Sequence, residues 1–474
     1  MRLFLPLVLA ACGPRLVAEP GTVNAAAYQP VTFDLSGTPW RAEDVEAVQV
    51  GGIAALHPIV EADGRLTVTV QGAPEPGLQA VTLTVAGEAH VVEDALEYAA
   101  PLDPGFRTLA AMGASITQGT QGGVPNQHAI LHSPPHLVAR ALGSFLPLPL
   151  LVDPLFPPIG WGDVGQPPGC ELPDVVGYIA GTIVDVIGLM EDEERDRIGF
   201  YLAREDPGLT PRNVAVGNTK IASLVNGPPD DITEQFLVKM VYATEADIRD
   251  NVSTSQLELV EAMEPDVILV PDPYGNDLIA SIVLSRRVDV GQLTTVDSFT
   301  QDVHALVTRL AATGAEVFIG NMPRATVLPA TPAKRASTIA AASDPEAATA
   351  KVDADLATID ARTDAFNDLL DAEAAVFDNV HVVDFRGMVL QLQAEGYDLD
   401  GVHLTVEKFG GLLSTDGVHL GDVGNGLFAQ LFLDALEEVF GMDLPAVDLS
   451  ALLAADPFSP AAALAAGYDT SACE

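Results

Sequence analysis

Residues 264–277 read Glu-Pro-Asp-Val-Ile-Leu-Val-Pro-Asp-Pro-Tyr-Gly-Asn-Asp. The apolar run at 266–270 follows a proline and ends at a turn. It is too short for an amphipathic helix and rich in β-branched residues, so it reads as a strand buried on both faces. Similar runs lie on either side: 107–112 ending at Gly113, 213–216 ending at Gly217, 315–319 leading into Gly-Asn-Met-Pro, and 380–385. Helical patterns lie between them, for example at 298–312 and 363–375. Strands alternating with helices predict an α/β unit with a parallel sheet covered on both faces. Ligands of such sheets sit at the C-terminal strand ends. Two stretches fit this rhythm poorly: the Pro- and Gly-rich 141–211, with a helical segment near 175–190, and the Ala- and Asp-rich 324–360. Both are expected to be insertions shaping the rim of a site. The Ala-rich tail, 444–474, has no evident partner.

Upstream, residues 23–100 show period-two alternation at 31–35, 45–50, 66–70 and 81–85. Ser36-Gly37, Gly51-Gly52, Asp63-Gly64 and Gly87 supply turns, so a small all-β sandwich is expected. Its Val-Gly-Gly turn, its Pro-Glu-Pro-Gly turn and its closing Leu-Glu-Tyr strand resemble the immunoglobulin-like IPT/TIG domains. That resemblance implies a spacing or adhesion role and carries no catalytic residue.

At the N-terminus, Arg2 precedes a short apolar run. The layout is that of an export signal and is too short to span a bilayer. Leu9-Ala10-Ala11-Cys12 resembles the bacterial lipoprotein signal. This implies removal of 1–11, lipidation of Cys12, a linker at 12–22, and a cell-envelope location anchored to a membrane. An ordinary secretion signal or a misassigned start is the alternative. The remaining thiols, Cys170 and Cys473, can pair in an oxidising compartment, although sequence does not give their distance. The formal charge of −43, from 66 acids and 23 bases, opposes nucleic-acid binding and suits a highly soluble surface.

The chemistry-bearing residues lie at the ends of the apolar runs. Gly113-Ala114-Ser115 sets a hydroxyl in a tight strand-to-helix turn near free N–H groups. Ser414-Thr415-Asp416-Gly417-Val418-His419 spaces an acid and an imidazole so that one can orient the other. Gly217 and Asn276 can donate hydrogen bonds to a developing oxyanion. In this order the blocks resemble the SGNH/GDSL hydrolases over residues 107–443, with Gly113-Ala114-Ser115, Gly217, Asn276-Asp277, and Asp416 with His419 as the matching residues.

The resemblance implies a flavodoxin-like three-layer α/β/α sandwich that hydrolyses esters of lipids or acetylated sugars without metal or cofactor. Ser115 would be the nucleophile, His419 the base and Asp416 its partner. The Ser115 and Gly217 N–H groups and the Asn276 amide would form the oxyanion hole. Two departures stand out. Ala114 replaces an acid, and Tyr274 replaces a glycine, where it can crowd or line the acyl pocket.

Asp-Gly-Val-His-Leu occurs twice, so Asp400 with His403 is a rival to Asp416 with His419. The long apolar pattern after His419 favours the later copy. His128, His132 and His136 fall four apart, as on a metal-binding helix face. Pro134 and Pro135 interrupt that helix, so helix-start or rim positions are expected instead. The other functional class is a binding or adhesin lipoprotein with a degenerate hydrolase domain.

Overall fold

The computed structural model describes residues 15–26, 28–152, 157–164, 172, 178, 204–228, 232–244, 247, 254–283, 285 and 287–472. The signal at 1–11, Cys12, Cys170, Cys473 and all of the 175–190 segment except Tyr178 lie outside these residues. The chain divides into two compact units. One runs to Arg107 and includes Gly143–Phe145; the other is Thr108–Leu142 with Leu146 onward.

The first unit is all-β. Its strands are β1 (Arg15–Glu19), β2 (Thr22–Val23), β3 (Gln29–Gly37), β4 (Val45–Val50), β5 (Ile53–Ala54), β6 (Leu56–Val60), β7 (Leu66–Val70), β8 (Gly77–Val85) and β9 (Glu88–Tyr98). They form two sheets, ordered β1-β3-β7-β6 and β2-β9-β8-β4-β5. Alternate residues of both sheets, such as Val31, Phe33, Leu66, Val68, Val81 and Leu83, form one buried core. The intervening threonines look outward, and Thr32 and Thr67 share a cross-strand hydrogen bond of 2.9 Å. One expectation is corrected here. Residues 15–19 are not linker but an antiparallel partner of β3, with Glu19 opposite Thr32. Five residues beside Pro20-Gly21 carry little local signal, and the pairing comes from the tertiary partner.

The second unit is α/β. β10 (Leu109–Ala111), β13 (Val267–Val270), β14 (Glu316–Gly320) and β15 (Val380–Val383) are parallel neighbours in that order. Residues 213–216 lie along the free edge of β10. Asn213 bridges Ala111 in parallel, and the Val214 and Val216 N–H groups donate to Ala111 and Gly113 carbonyls. In chain order the strands therefore stand 2-1-3-4-5. Every residue of β10 and β13 is buried, so both faces of the sheet are covered. Helices Ile221–Asn226, Gln256–Met263, Val296–Ala312 and Pro345–Ala374 pack on one another, while Pro134–Leu142 packs on Asp422–Phe440.

The 324–360 stretch is more regular than expected. It holds helix Ala330–Ala340 and the first half of the helix Pro345–Ala374. Asp344 caps the latter, with Pro345 in its first turn, and Val352, Ile359, Phe366 and Leu370 make its buried side. The tail also has partners. Leu452 of helix Leu449–Ala455 fills the space above Gly426. Tyr468 and Ala463 join Trp161 and Phe409 in a small core, and Trp161 Nε1 donates to the Pro457 carbonyl at 3.0 Å. Alanine-rich helices give weak patterns because each buries little area, so this docking was not legible. Among the described residues, no helix is long and apolar enough to cross a membrane.

Candidate active site

The turn after β10 is built around a buried acid, Asp272. Gly113 has φ +149°, and a Cβ there would fall 2.5 Å from Thr117 Oγ1 and 2.8 Å from Asp272 Oδ1. Only glycine fits. Gln256 clamps it, accepting from the Gly113 N–H at 2.9 Å and donating to its carbonyl at 3.1 Å. Ser115 then opens the one-turn helix Ser115–Gln118. Beneath it, the Asp272 carboxylate accepts from the N–H groups of Ala114 (2.9 Å), Ile116 (2.9 Å) and Thr117 (3.3 Å), and from the Thr117 hydroxyl. Burial raises the Asp272 pKa, and these donors only partly offset it. Asp272 stands at the end of β13, so the central strand holds the serine turn of its neighbour in place. Its position after Pro271 was visible in the sequence; its partners, more than 150 residues away, were not.

Asp416 and His419 meet Ser115. His419 Nε2 lies 2.9 Å from Ser115 Oγ, and His419 Nδ1 lies 2.7 Å from Asp416 Oδ2. A carboxylate only accepts, so Nδ1 carries the proton and Nε2 is free to accept from the serine hydroxyl. The Asp416 carboxylate also accepts from the N–H groups of Gly123 (2.7 Å), Val418 (2.8 Å) and His419 (2.9 Å). Burial would raise its pKa, but the His419 ring and these donors outweigh burial and hold it low. Burial likewise would lower the His419 pKa. The Asp416 charge and hydrogen bond, with Asp272 beyond, outweigh that and raise it.

The earlier pentapeptide copy is spent on a hairpin. β16 (Tyr397–Leu399) and β17 (Val402–Leu404) are joined by Asp400 (φ +50°) and Gly401 (φ +82°), the two-residue Asp-Gly turn. His403 is exposed and bonds Asp398, not Asp400, at 2.8 Å.

Of the expected oxyanion donors, the Ser115 N–H has no hydrogen-bond partner among the described residues. Asn276 is buried beside it and gives one amide hydrogen to the Thr219 carbonyl at 3.1 Å, leaving the other. Gly217 is a correction. Its N–H donates to Gln118 Oε1 at 2.8 Å, so it is not free. Gln118 lies on the Ser115–Gln118 helix and folds back to take that donor, a contact with no local sequence signal. Asp277 accepts from the Ile221 N–H (2.9 Å) and the Thr294 hydroxyl (2.5 Å), and burial pushes its pKa up to about 6.

Tyr274 is the second correction. It does not line the pocket but is fully buried, edge-on to Phe299, with its hydroxyl donating to Asn367 Oδ1 at 2.6 Å. A large aromatic after a strand is drawn into the core here because Phe299 and Phe366 stack to receive it.

The cavity above Ser115 is walled mainly by apolar side chains, including Leu278, Ile279, Met322, Val327, Leu328, Phe385 and Val418. Its walls come from the segments that follow β10, β13, β14 and β15, from residues 324–328, and from residues 406–420. Among the described residues, Arg324 is the one arginine or lysine in the lining, and Asp364 holds it in a forked ion pair.

No family model matches the chain, and no curated protein matches it. Among solved structures, it is similar to an acetyl xylan esterase, AlAXEase, at 17% identity over 47% of this chain and 79% of that one, with a TM-score of 0.24. It is also similar to LAE5, an alpha/beta hydrolase enzyme from the metagenome of Lake Arreo, Spain, at 14% identity over 69% of this chain and 94% of that one, with a TM-score of 0.31.

Proposed function

We propose that the chain is a serine ester hydrolase of the SGNH/GDSL type acting on esters with an apolar acyl group. The observation that carries this reading is the relay Ser115 Oγ, His419, Asp416 at the mouth of an apolar cavity. The 2-1-3-4-5 strand order supports a flavodoxin-like α/β/α sandwich. The two facing sheets of the first unit support an immunoglobulin-like module. The export reading rests on Arg2 and the apolar run after it, and the lipid-anchor reading on Leu9-Ala10-Ala11-Cys12. The mass of the exported protein tests it: a mature chain beginning at acylated Cys12 supports it, and an unmodified one opposes it.

In this mechanism Ser115 Oγ attacks the ester carbonyl carbon while His419 Nε2 takes its proton. The Ser115 N–H and the free Asn276 amide hydrogen receive the oxyanion. His419 returns the proton to the departing alkoxide, leaving an acyl-serine. Water, deprotonated by the same ring, then releases the acid. Asp416 holds the tautomer and balances the imidazolium.

The test is hydrolysis of p-nitrophenyl esters from acetate to octanoate. Burying one methylene is worth about 0.8 kcal/mol. The expected result is therefore a rise in kcat/KM of about three- to fourfold per added methylene until the cavity is filled. No turnover above buffer would sink the hydrolase reading. A preference for acetate would redirect the substrate to acetylated sugars.

A pH dependence follows from the relay. The base must be neutral, so kcat/KM rises with pH through the His419 pKa, with a midpoint above the ordinary histidine value of about 6.5. In Asp416→Asn the main raising influence is lost and burial remains, so the residual activity has its midpoint at lower pH. A midpoint that does not move in that variant would contradict the pairing.

A further inference from the structure

Three ligand atoms converge at a second place in the α/β unit. His128 lies in the short helix Gln127–Leu131, and His132 caps its C-terminal end. The chain breaks before Pro134, which starts the next helix. The two rings therefore share a face, while His136 turns away to the Leu131 carbonyl. Opposite them stands Asp422, in the first turn of helix Asp422–Phe440. His128 Nε2 is 2.7 Å from Asp422 Oδ2 and 3.0 Å from His132 Nδ1, and His132 Nδ1 is 3.4 Å from the same oxygen.

A proton between one nitrogen and the carboxylate satisfies that pair. The lone pair of the third atom then still faces its neighbours. A cation at the centre takes all three lone pairs at once. Zinc bonds to nitrogen and oxygen at about 2.0–2.2 Å, and a tetrahedral arrangement separates such ligands by about 3.4 Å. The observed spacings reach that value with shifts of less than about 1 Å.

The surroundings fit a bound cation. The Asp422 side chain is 0% exposed, and its other oxygen accepts from Gln121 Nε2 at 2.9 Å, which turns Oδ2 toward the imidazoles. A second buried acid, Asp456, accepts the Asp422 N–H at 3.1 Å, so two carboxylates share one low-dielectric place. Against these two acids stands one nearby positive charge, Arg140, on the helix after the histidines, which acts on His132 and opposes a cation. The histidine side chains stay 35% and 18% exposed, which leaves an entry path and room for water as a fourth ligand.

We propose that His128, His132 and Asp422 bind one divalent transition-metal ion, and two imidazoles with one carboxylate and a water form a set that zinc takes. The ion is structural and lies apart from the Ser115 cavity. Gln121 belongs to the hairpin β11 (Thr120–Gln121) and β12 (Val124–Pro125), whose Gly123 N–H holds Asp416. Metal at Asp422 would thus fasten the hairpin that positions the Asp416–His419 pair.

The full chain, stripped with EDTA, is titrated with zinc by calorimetry, and bound metal is counted. The expected result is one zinc per chain and a Tm raised by at least about 3 °C at saturating zinc. His128→Ala/His132→Ala should lose both, while His304→Ala, at an exposed position of helix Val296–Ala312, should keep both. X-ray absorption of the zinc-loaded wild type gives a reading that does not depend on how the variants fold. It should show imidazole and oxygen ligands and no bond of about 2.3 Å to sulfur. Absence of stoichiometric zinc, zinc retained by the double variant, or sulfur ligation would overturn the assignment.

Discussion

Ser115→Ala and His419→Ala are each expected to lower kcat/KM for p-nitrophenyl butyrate by about 10⁴–10⁶-fold, and the double variant is expected to fall little further. The size follows from the relay. Without Oγ there is no acyl-serine, and without Nε2 at 2.9 Å nothing takes the hydroxyl proton. Groups acting as one unit are non-additive, because losing either leaves only the binding and oxyanion contributions. His403→Ala provides the internal comparison. It removes the same residue from the same pentapeptide, but from an exposed hairpin where the ring bonds Asp398. Its kcat/KM should stay within about twofold of wild type. A large loss in His403→Ala with little loss in His419→Ala would invert the assignment.

Asp272→Asn should fold, melt several degrees lower, and lose about 10²-fold in kcat/KM. The substitution keeps shape but turns one oxygen into an NH₂ group. That group then meets either the Ile116 N–H or the Ala114 and Thr117 donors, which need an acceptor. An unpaired buried donor costs about 1–3 kcal/mol, and the turn carrying Ser115 shifts to relieve it. The Asp272 charge also raises the His419 pKa, so the pH midpoint of the variant should move down. Asp272 is thus a positioning residue. Unchanged activity with a lowered Tm would mean that the acid supports the fold alone.

The α/β class was legible because fully buried strands leave continuous apolar runs such as Val267–Val270. Ser115, Asp416 and His419 were legible because strand-end turns and an Asp-x-x-His spacing are local signals; in space the three stand together. What escaped was tertiary. Asp272, Gln118 and Gln256 act on partners about 100 residues or more away, so their neighbours in the chain say nothing of them. Tyr274 was read from its place in the chain, whereas two phenylalanines from distant helices decide where it goes. The histidines at 128 and 132 carried metal-like spacing. Their carboxylate stands 290 residues on, and only the fold brings it to them.

In the proposed mechanism Ser115 is an activated nucleophile. Incubating the protein with a fluorophosphonate probe and mapping the modified peptide tests it most directly. One adduct per chain on Ser115 is expected, absent from Ser115→Ala and formed far more slowly in His419→Ala. No adduct on the wild type, or an adduct that persists in Ser115→Ala, would contradict the account and favour a surface-binding protein with a degenerate hydrolase domain.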